Sequence, residues 1–141
     1  MFESAFRAAV VVGGVLLLPQ AGLAETVQYK TELSGQNESP PNDSAASGMA
    51  DVTYDTETSD LTYRVEFDGL SGPPIGAHIH GPADAGGNAG IVIPFETLES
   101  PIEGSATLPK DLADALEAGQ LYVNIHTEAH PGGEIRGQLA K

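Results

Sequence analysis

The four histidines of the chain are its clearest chemical signal, because all of them fall in two short motifs. His78 and His80 lie in Ala-His-Ile-His-Gly-Pro, and His126 and His130 lie in Asn-Ile-His-Thr-Glu-Ala-His-Pro-Gly-Gly. The imidazole ring is a preferred ligand of copper and zinc. The four residues are therefore candidate metal ligands, for copper first and zinc second. The alternative role for each is a hydrogen bond that fixes a nearby loop carbonyl.

Alternation of side chains along a strand gives the two motifs a defined geometry. His78 and His80 project from the same face of a strand, roughly 6–7 Å apart, while Ile79 points to the opposite face. In the second motif, His126 lies on the face opposite Ile125. We therefore expect the histidines to lie on the faces that the aliphatic residues do not use.

His130 can join the other histidines only if the chain turns after His126. Four residues of extended chain would separate these two positions by about 13 Å. The Pro-Gly-Gly segment that follows His130 predicts a turn, which could fold His130 back toward His126. If the two motifs also lie on neighbouring strands, four imidazoles converge in a chain that contains no cysteine.

Composition excludes several classes of function. The chain has 141 residues and a formal net charge of −14. It contains no cysteine, which excludes disulfides, thiolate nucleophiles and thiolate metal sites. An acidic surface repels phosphate, which argues against binding to nucleic acid or to an anionic membrane. The chain also lacks the Gly-x-Ser-x-Gly and His-Glu-x-x-His motifs of serine hydrolases and zinc proteases. Enzyme activity is left open, with a non-catalytic role favoured.

The elements that must position the histidines are short strands separated by turn-forming residues, a pattern typical of a sandwich or barrel. The clearest pair is a hairpin formed by 50–54 and 61–67, where apolar and polar residues alternate. One helix is predicted at 109–118, with proline in its first turn and Gly119 after its end. Further strands are predicted at 27–33, 77–80, 91–95, 104–108, 120–127 and 134–139. The pattern predicts an all-β, antiparallel, Greek-key-like sandwich or barrel of about eight short strands with one short helix.

Residues 1–24 are predicted to be a cleavable signal peptide. Arg7 provides a weak positive charge, an apolar run extends to Leu18, and the Gly-Leu-Ala that ends at Ala24 has small residues where signal peptidase requires them. The apolar run is shorter than the about 20 residues that span a bilayer, and an uncleaved N-terminal anchor is the alternative. Cleavage would leave residues 25–141 as one domain, periplasmic or secreted, with no membrane attachment.

The longest motifs resemble the signature stretches of the CHRD (chordin-type) domain family. These motifs are Ala77–Ala83, Leu121–Thr127 and His130–Leu139, and the resemblance extends from about Tyr29 to Leu139. The resemblance implies a β-rich domain in an exported protein, without a settled activity. It does not extend to the growth-factor antagonism of chordin, because this chain lacks the cysteine-rich modules of that protein.

A looser resemblance links the His-Ile-His stretch at 78–80 to the Cu/Zn superoxide dismutase β-barrel. It implies copper at these histidines, but the chain has neither a disulfide pair nor a recognisable aspartate-bearing zinc loop. Two hypotheses therefore lead. One is an exported domain that binds copper or zinc, and the other is a non-catalytic module that binds an extracytoplasmic protein or polysaccharide. A dismutase-like enzyme is the least favoured.

Overall fold

The computed structural model of the chain describes residues 14–18 and 25–141. Apart from 14–18, the predicted signal peptide at 1–24 lies outside the described residues, and its cleavage stays a prediction. Four consecutive apolar side chains, from Val15 to Leu18, are 78–90% exposed and take no part in the hydrophobic core. Within the described ranges, no helix is long and apolar enough to cross a bilayer.

Within the described residues, eight strands, one α-helix and a one-turn 3₁₀ helix at Gly35–Asn37 form the domain, so the predicted all-β class is confirmed. The strands are β1 Thr26–Ser34, β2 Ser47–Asp55, β3 Asp60–Asp68, β4 Pro74–His80, β5 Ile91–Pro94, β6 Ile102–Thr107, β7 Tyr122–Thr127 and β8 Ile135–Gln138, and the helix is α1 Lys110–Glu117. Every strand predicted from the alternation pattern is present, with its ends shifted by at most three residues.

All eight strands belong to one antiparallel sheet, in the order β5-β4-β7-β8-β1-β2-β3-β6. Tyr63 on β3 stacks against Phe95, which follows β5, with the ring centroids 4.3 Å apart. The two ends of the sheet therefore approach each other, and the sheet is nearly closed and barrel-like. From the β6 edge the chain passes through α1 and returns beside β4 as β7, which is a Greek-key-like connection.

The core lies inside this curved sheet, as the β2–β3 hairpin illustrates. In its register, Val52 is opposite Tyr63 and Ala50 is opposite Val65, and all four are at most 5% exposed. Burying a valine side chain such as these contributes roughly 1.5–3 kcal/mol. Helix α1 adds two buried residues to the same core and ends before Gly119, whose φ of +74° is the left-handed conformation that favours glycine.

The outer face of β7 and β8 is also buried, which the alternation pattern does not predict. Asn124 and Arg136 are paired across these strands and point away from the core, yet both are at most 3% exposed. The loop between β1 and β2 supplies Glu38, which accepts a hydrogen bond from Asn124. The loop between β4 and β5 supplies Asn88, which accepts one from Arg136. This outer face is a polar layer covered by two loops.

Candidate metal centre

Three of the four candidate histidines come together on the adjacent strands β4 and β7. They are His78, His80 and His126, and each offers one ring nitrogen that lies within 4.8 Å of the other two. The ring centroids are 5.3 Å apart for His78 and His80, 5.0 Å for His78 and His126, and 5.7 Å for His80 and His126. The structure thus brings both sequence motifs to one place.

The antiparallel pairing of β4 with β7 explains why these rings converge. Gly76 is opposite His126, and His78 is opposite Asn124, so His126 lies diagonally beside His78. Strand alternation then places His80 on the same face. Gly76 leaves room for the rings, because a Cβ at this position would lie 3.0 Å from Cε1 of His78 and 3.3 Å from its Nε2.

Backbone carbonyls fix the orientation of two of the rings. Nδ1 of His80 lies 3.0 Å from the carbonyl oxygen of Ala89, and Nδ1 of His126 lies 3.0 Å from that of Pro131. Because a carbonyl oxygen only accepts, each Nδ1 carries the proton and donates it, and each neutral ring has its lone pair on Nε2. Metal-binding histidines are commonly oriented by a hydrogen bond of this kind.

One nitrogen on each ring of the cluster is buried without a hydrogen-bond partner. In the part of the chain that the structure describes, three buried side-chain nitrogens or oxygens have none: Nδ1 of His78, Nε2 of His80 and Nε2 of His126. Buried polar atoms are nearly always paired, because an unpaired one costs roughly 1–3 kcal/mol. All three exceptions occur on rings that contact one another, which is the arrangement expected of a site that binds a ligand.

Burial keeps these rings neutral at pH 7. It lowers the pKa of His78 to about 4, and the neighbouring His126 and His80 act in the same direction. Burial also lowers the pKa of His80 and that of His126, although their carbonyl hydrogen bonds oppose the effect. Neutral imidazole is the form that binds a metal ion, so binding at neutral pH would require no proton to leave these rings.

The upper limit of 4.8 Å between the three nitrogens can be compared with the spacing that a bound ion requires. Three imidazole nitrogens about 2.0–2.1 Å from one ion are about 3.3–3.6 Å apart in tetrahedral or trigonal geometry. The limit of 4.8 Å between the nitrogens means that the rings would move inward by up to about an ångström on binding. Within the described residues no carboxylate belongs to this group, so the donor set consists of nitrogen alone.

The fourth candidate, His130, is placed apart from this group. The turn predicted from the Pro-Gly-Gly segment does fold the chain back, but it brings the carbonyl of Pro131 to His126 instead of the ring of His130. Nε2 of His130 lies 3.8 Å from Oε1 of Glu134, a carboxylate that is only 1% exposed. A buried negative charge is thus the neighbour of this ring.

A stack of side chains that the motifs did not single out extends from the cluster. The ring of Tyr122 lies 5.1 Å from that of His80 with an interplanar angle of 5°, and Cζ of Arg136 lies 3.5 Å from the centroid of Tyr122. The Tyr122 hydroxyl donates to the carbonyl of Ala89 and accepts from its N–H, so it holds the residue that orients His80. The alternation of side chains along β7 does predict that Tyr122 lies on the same face of the strand as His126.

Comparison with known proteins identifies relatives that match most of the chain. The model of the CHRD domain family matches residues 29–139. The chain is similar to chordin of Danio rerio, with 31% identity over 137 residues that cover 90% of this chain and 14% of that protein. It is also similar to chordin of Xenopus laevis, with 30% identity over 146 aligned positions that cover 95% of this chain and 15% of that protein.

The chain spans only 14–15% of the length of these two relatives. No solved structure matches it significantly. The family match includes most of β1, all seven later strands and all three histidines of the cluster. The chain therefore belongs to the CHRD domain family.

Proposed function

We propose that this CHRD domain binds a transition-metal ion, copper in preference to zinc, through His78, His80 and His126. The observation that carries the proposal is the group of three buried, unpartnered nitrogens, one on each of three rings in contact. His130 is left out of the proposed ligand set because its ring faces Glu134.

The competing role for these histidines is to brace loops, and two of them do so. His80 donates to Ala89 and His126 donates to Pro131. Bracing a loop uses one nitrogen of a ring and gives no reason to bury the second nitrogen without a partner. Burial of both nitrogens, with one fixed by a carbonyl and one left free, is what the outer shell of a metal site requires.

Copper is favoured by the donor set and by the charge of the chain. Three neutral imidazoles suit both copper and zinc, and a given nitrogen site binds Cu(II) more tightly than Zn(II). The net charge of −14 attracts cations to the surface of the domain. The absence of cysteine in the sequence excludes a thiolate alternative for either metal.

The proposed place of action is outside the cytoplasm, in the periplasm or after secretion. Membership of a family that includes chordin supports export, and so does the signal peptide predicted at residues 1–24. A domain of this kind would handle or store metal ions there.

Calorimetric titration of the purified, metal-free protein with Cu(II) and with Zn(II) tests the proposal. We expect one ion per chain, with copper bound more tightly. His78→Ala and His126→Ala should each weaken binding by more than about tenfold, since each removes a ligand. His130→Ala is the matched control, because it removes the same side chain outside the group, and it should bind like the unmodified protein.

Binding that is unaffected by His78→Ala and His126→Ala, or weakened as much by His130→Ala, would refute the proposal. The domain would then be best described by the second hypothesis, a module that binds an extracytoplasmic protein or polysaccharide. A pull-down with the immobilised domain, with and without chelator, separates that role from metal-dependent recognition. Superoxide consumption by the copper-loaded protein would measure dismutase-like activity.

A further inference from the structure

Arg136 differs from the other basic residues of the described chain. It is 1% exposed, and within residues 14–18 and 25–141 no carboxylate oxygen lies within 4.0 Å of its nitrogens. The remaining basic residues in these ranges each form an ion pair at the surface. They are Lys30, Arg64, Lys110 and Lys141.

Neutral groups are what hold the Arg136 guanidinium in place. Nη1 donates to Oδ1 of Asn88 at 3.2 Å, Nη2 donates to Oε1 of Gln138 at 3.3 Å, and the ring of Tyr122 lies against Cζ. Removing an ion from water without a counter-ion costs several kcal/mol. The chain has 20 acidic residues and only 6 Lys and Arg residues, yet none of the described carboxylates forms an ion pair with Arg136. Glu38 is near enough for its charge to interact with that of Arg136, but the two form no ion pair, so the guanidinium can still pair directly with an anion from outside the chain.

Arg136 lines a pocket of about 400 Å³ between the β1–β2 loop and the β4–β5 loop. Gln36 and Asn37 line the same pocket, and their amide nitrogens donate to backbone carbonyls. Their amide oxygens are left as acceptors. A volume of a few hundred Å³ with a few convergent polar groups is typical of a site for a small molecule.

We propose that this pocket binds a small hydroxylated carboxylate of the uronic-acid type. The carboxylate would be held by Arg136, because guanidinium and carboxylate match in charge and geometry. Hydroxyl groups of the ligand would donate to the amide oxygens of Gln36 and Asn37. This pocket does not include the three histidines, and the proposal does not depend on metal binding.

Glu38 makes a singly charged ligand preferable to a phosphate. Its side chain lines the same pocket and is 7% exposed. Burial raises the pKa of Glu38 to about 7, against the opposing effects of the hydrogen bond from Asn124 and the charge of Arg136. The group is therefore partly ionised near neutral pH, and it repels a dianion more strongly than a monoanion.

Calorimetric titration of the full chain with D-glucuronate, in the presence of chelator, tests the proposal. D-glucose is the matched neutral sugar, and inorganic phosphate, a mixture of monoanion and dianion near pH 7, is the anion of higher average charge. We expect glucuronate to bind at least about tenfold more tightly than either, which corresponds to about 1.4 kcal/mol. Arg136→Gln should abolish the preference for glucuronate over glucose, with circular dichroism used to check that this variant folds.

Glu38→Gln keeps the test decisive if Arg136→Gln does not fold. The amide keeps the oxygen that accepts from Asn124 and removes the competing charge, so glucuronate should bind at least about threefold more tightly. His78→Ala should leave glucuronate binding unchanged, which separates this proposal from the metal site. Equal binding of glucuronate and glucose, preferential binding of phosphate, or unchanged glucuronate affinity in Glu38→Gln would each overturn the proposal.

Discussion

Acidification of the metal-free protein from pH 7 to pH 5 tests whether the histidine cluster is buried and neutral. In the unfolded chain a histidine takes up its proton near pH 6.5. In the folded protein, burial together with His126 and His80 lowers the pKa of His78 to about 4. The unfolded state therefore binds more protons below pH 6.5, and the cluster's contribution to stability is lost as the pH falls toward 4.

The two pKa values of His78 set the size of this effect. Between pH 7 and pH 5 they correspond to a loss of about 2 kcal/mol in the free energy of unfolding. Because the ring is only partly buried, this figure is an upper value for His78 alone. His80 and His126 add to the loss, since burial lowers their pKa values as well.

Glu38 masks the effect in the unmodified protein. Burial raises its pKa from 4.5 to about 7, so its contribution to stability is present at low pH and is lost as the pH rises through 7. Lowering the pH from 7 to 5 therefore stabilises the protein by about 2 kcal/mol through this residue. The two effects have opposite signs, and we expect little net change in the unmodified protein.

Urea unfolding of Glu38→Gln at pH 7, 6 and 5, with chelator present, isolates the histidine effect. We expect the free energy of unfolding to fall by about 2 kcal/mol over this range, and by distinctly less in the double variant Glu38→Gln, His78→Gln. The carboxyl groups of Asp55 and Glu134, whose pKa values are lowered, titrate below this window. A Glu38→Gln protein whose stability does not change between pH 7 and pH 5 would refute the reasoning.

Two further substitutions test particular contacts. Gly76→Ala should weaken Cu(II) binding by at least about tenfold in calorimetry, because the added Cβ presses on the ring of His78. Gly90→Ala is its control, since a Cβ there meets no atom within 4 Å, and equal affinities of the two variants would contradict this role of Gly76. Glu134→Ala should lower the free energy of unfolding by roughly 1–3 kcal/mol in urea at pH 7, because it removes the buried carboxylate that accepts the Ser71 N–H. Unchanged stability would show that this hydrogen bond is dispensable.

The fold could be predicted well because most strands have one apolar face. The alternation in 61–67 predicted β3, in which Leu61, Tyr63 and Val65 are buried and their neighbours are not. Gly119 likewise predicted where α1 ends. The residues at which strands begin and end were predicted less accurately. Hydrogen bonds to the neighbouring strand can extend a strand beyond its alternating residues.

The site could be predicted only in part. Alternation was enough to place His78 and His80 on one face, but the pairing of β4 with β7 depends on a connection through β5, β6 and α1 that no local pattern encodes. The ring of His130 lies beside Glu134, whose carboxylate is held by Ser44 and Ser71 from distant loops. No local sequence pattern encodes these long-range contacts.

The same reason explains why the buried outer face went unrecognised. Asn124 and Arg136 are polar residues on strands with a regular alternation, a pattern that is typical of a solvated face. Their burial comes from the loops that carry Glu38 and Asn88, which are more than 30 residues away from either of them.

Anomalous diffraction at the copper absorption edge, from crystals of the copper-loaded protein, tests the central claim most directly. We expect one strong peak per chain within bonding distance, about 2.0–2.1 Å, of one nitrogen from each of His78, His80 and His126. A peak bound instead by His130 and Glu134 or by surface carboxylates, with no copper between the three rings, would contradict the account.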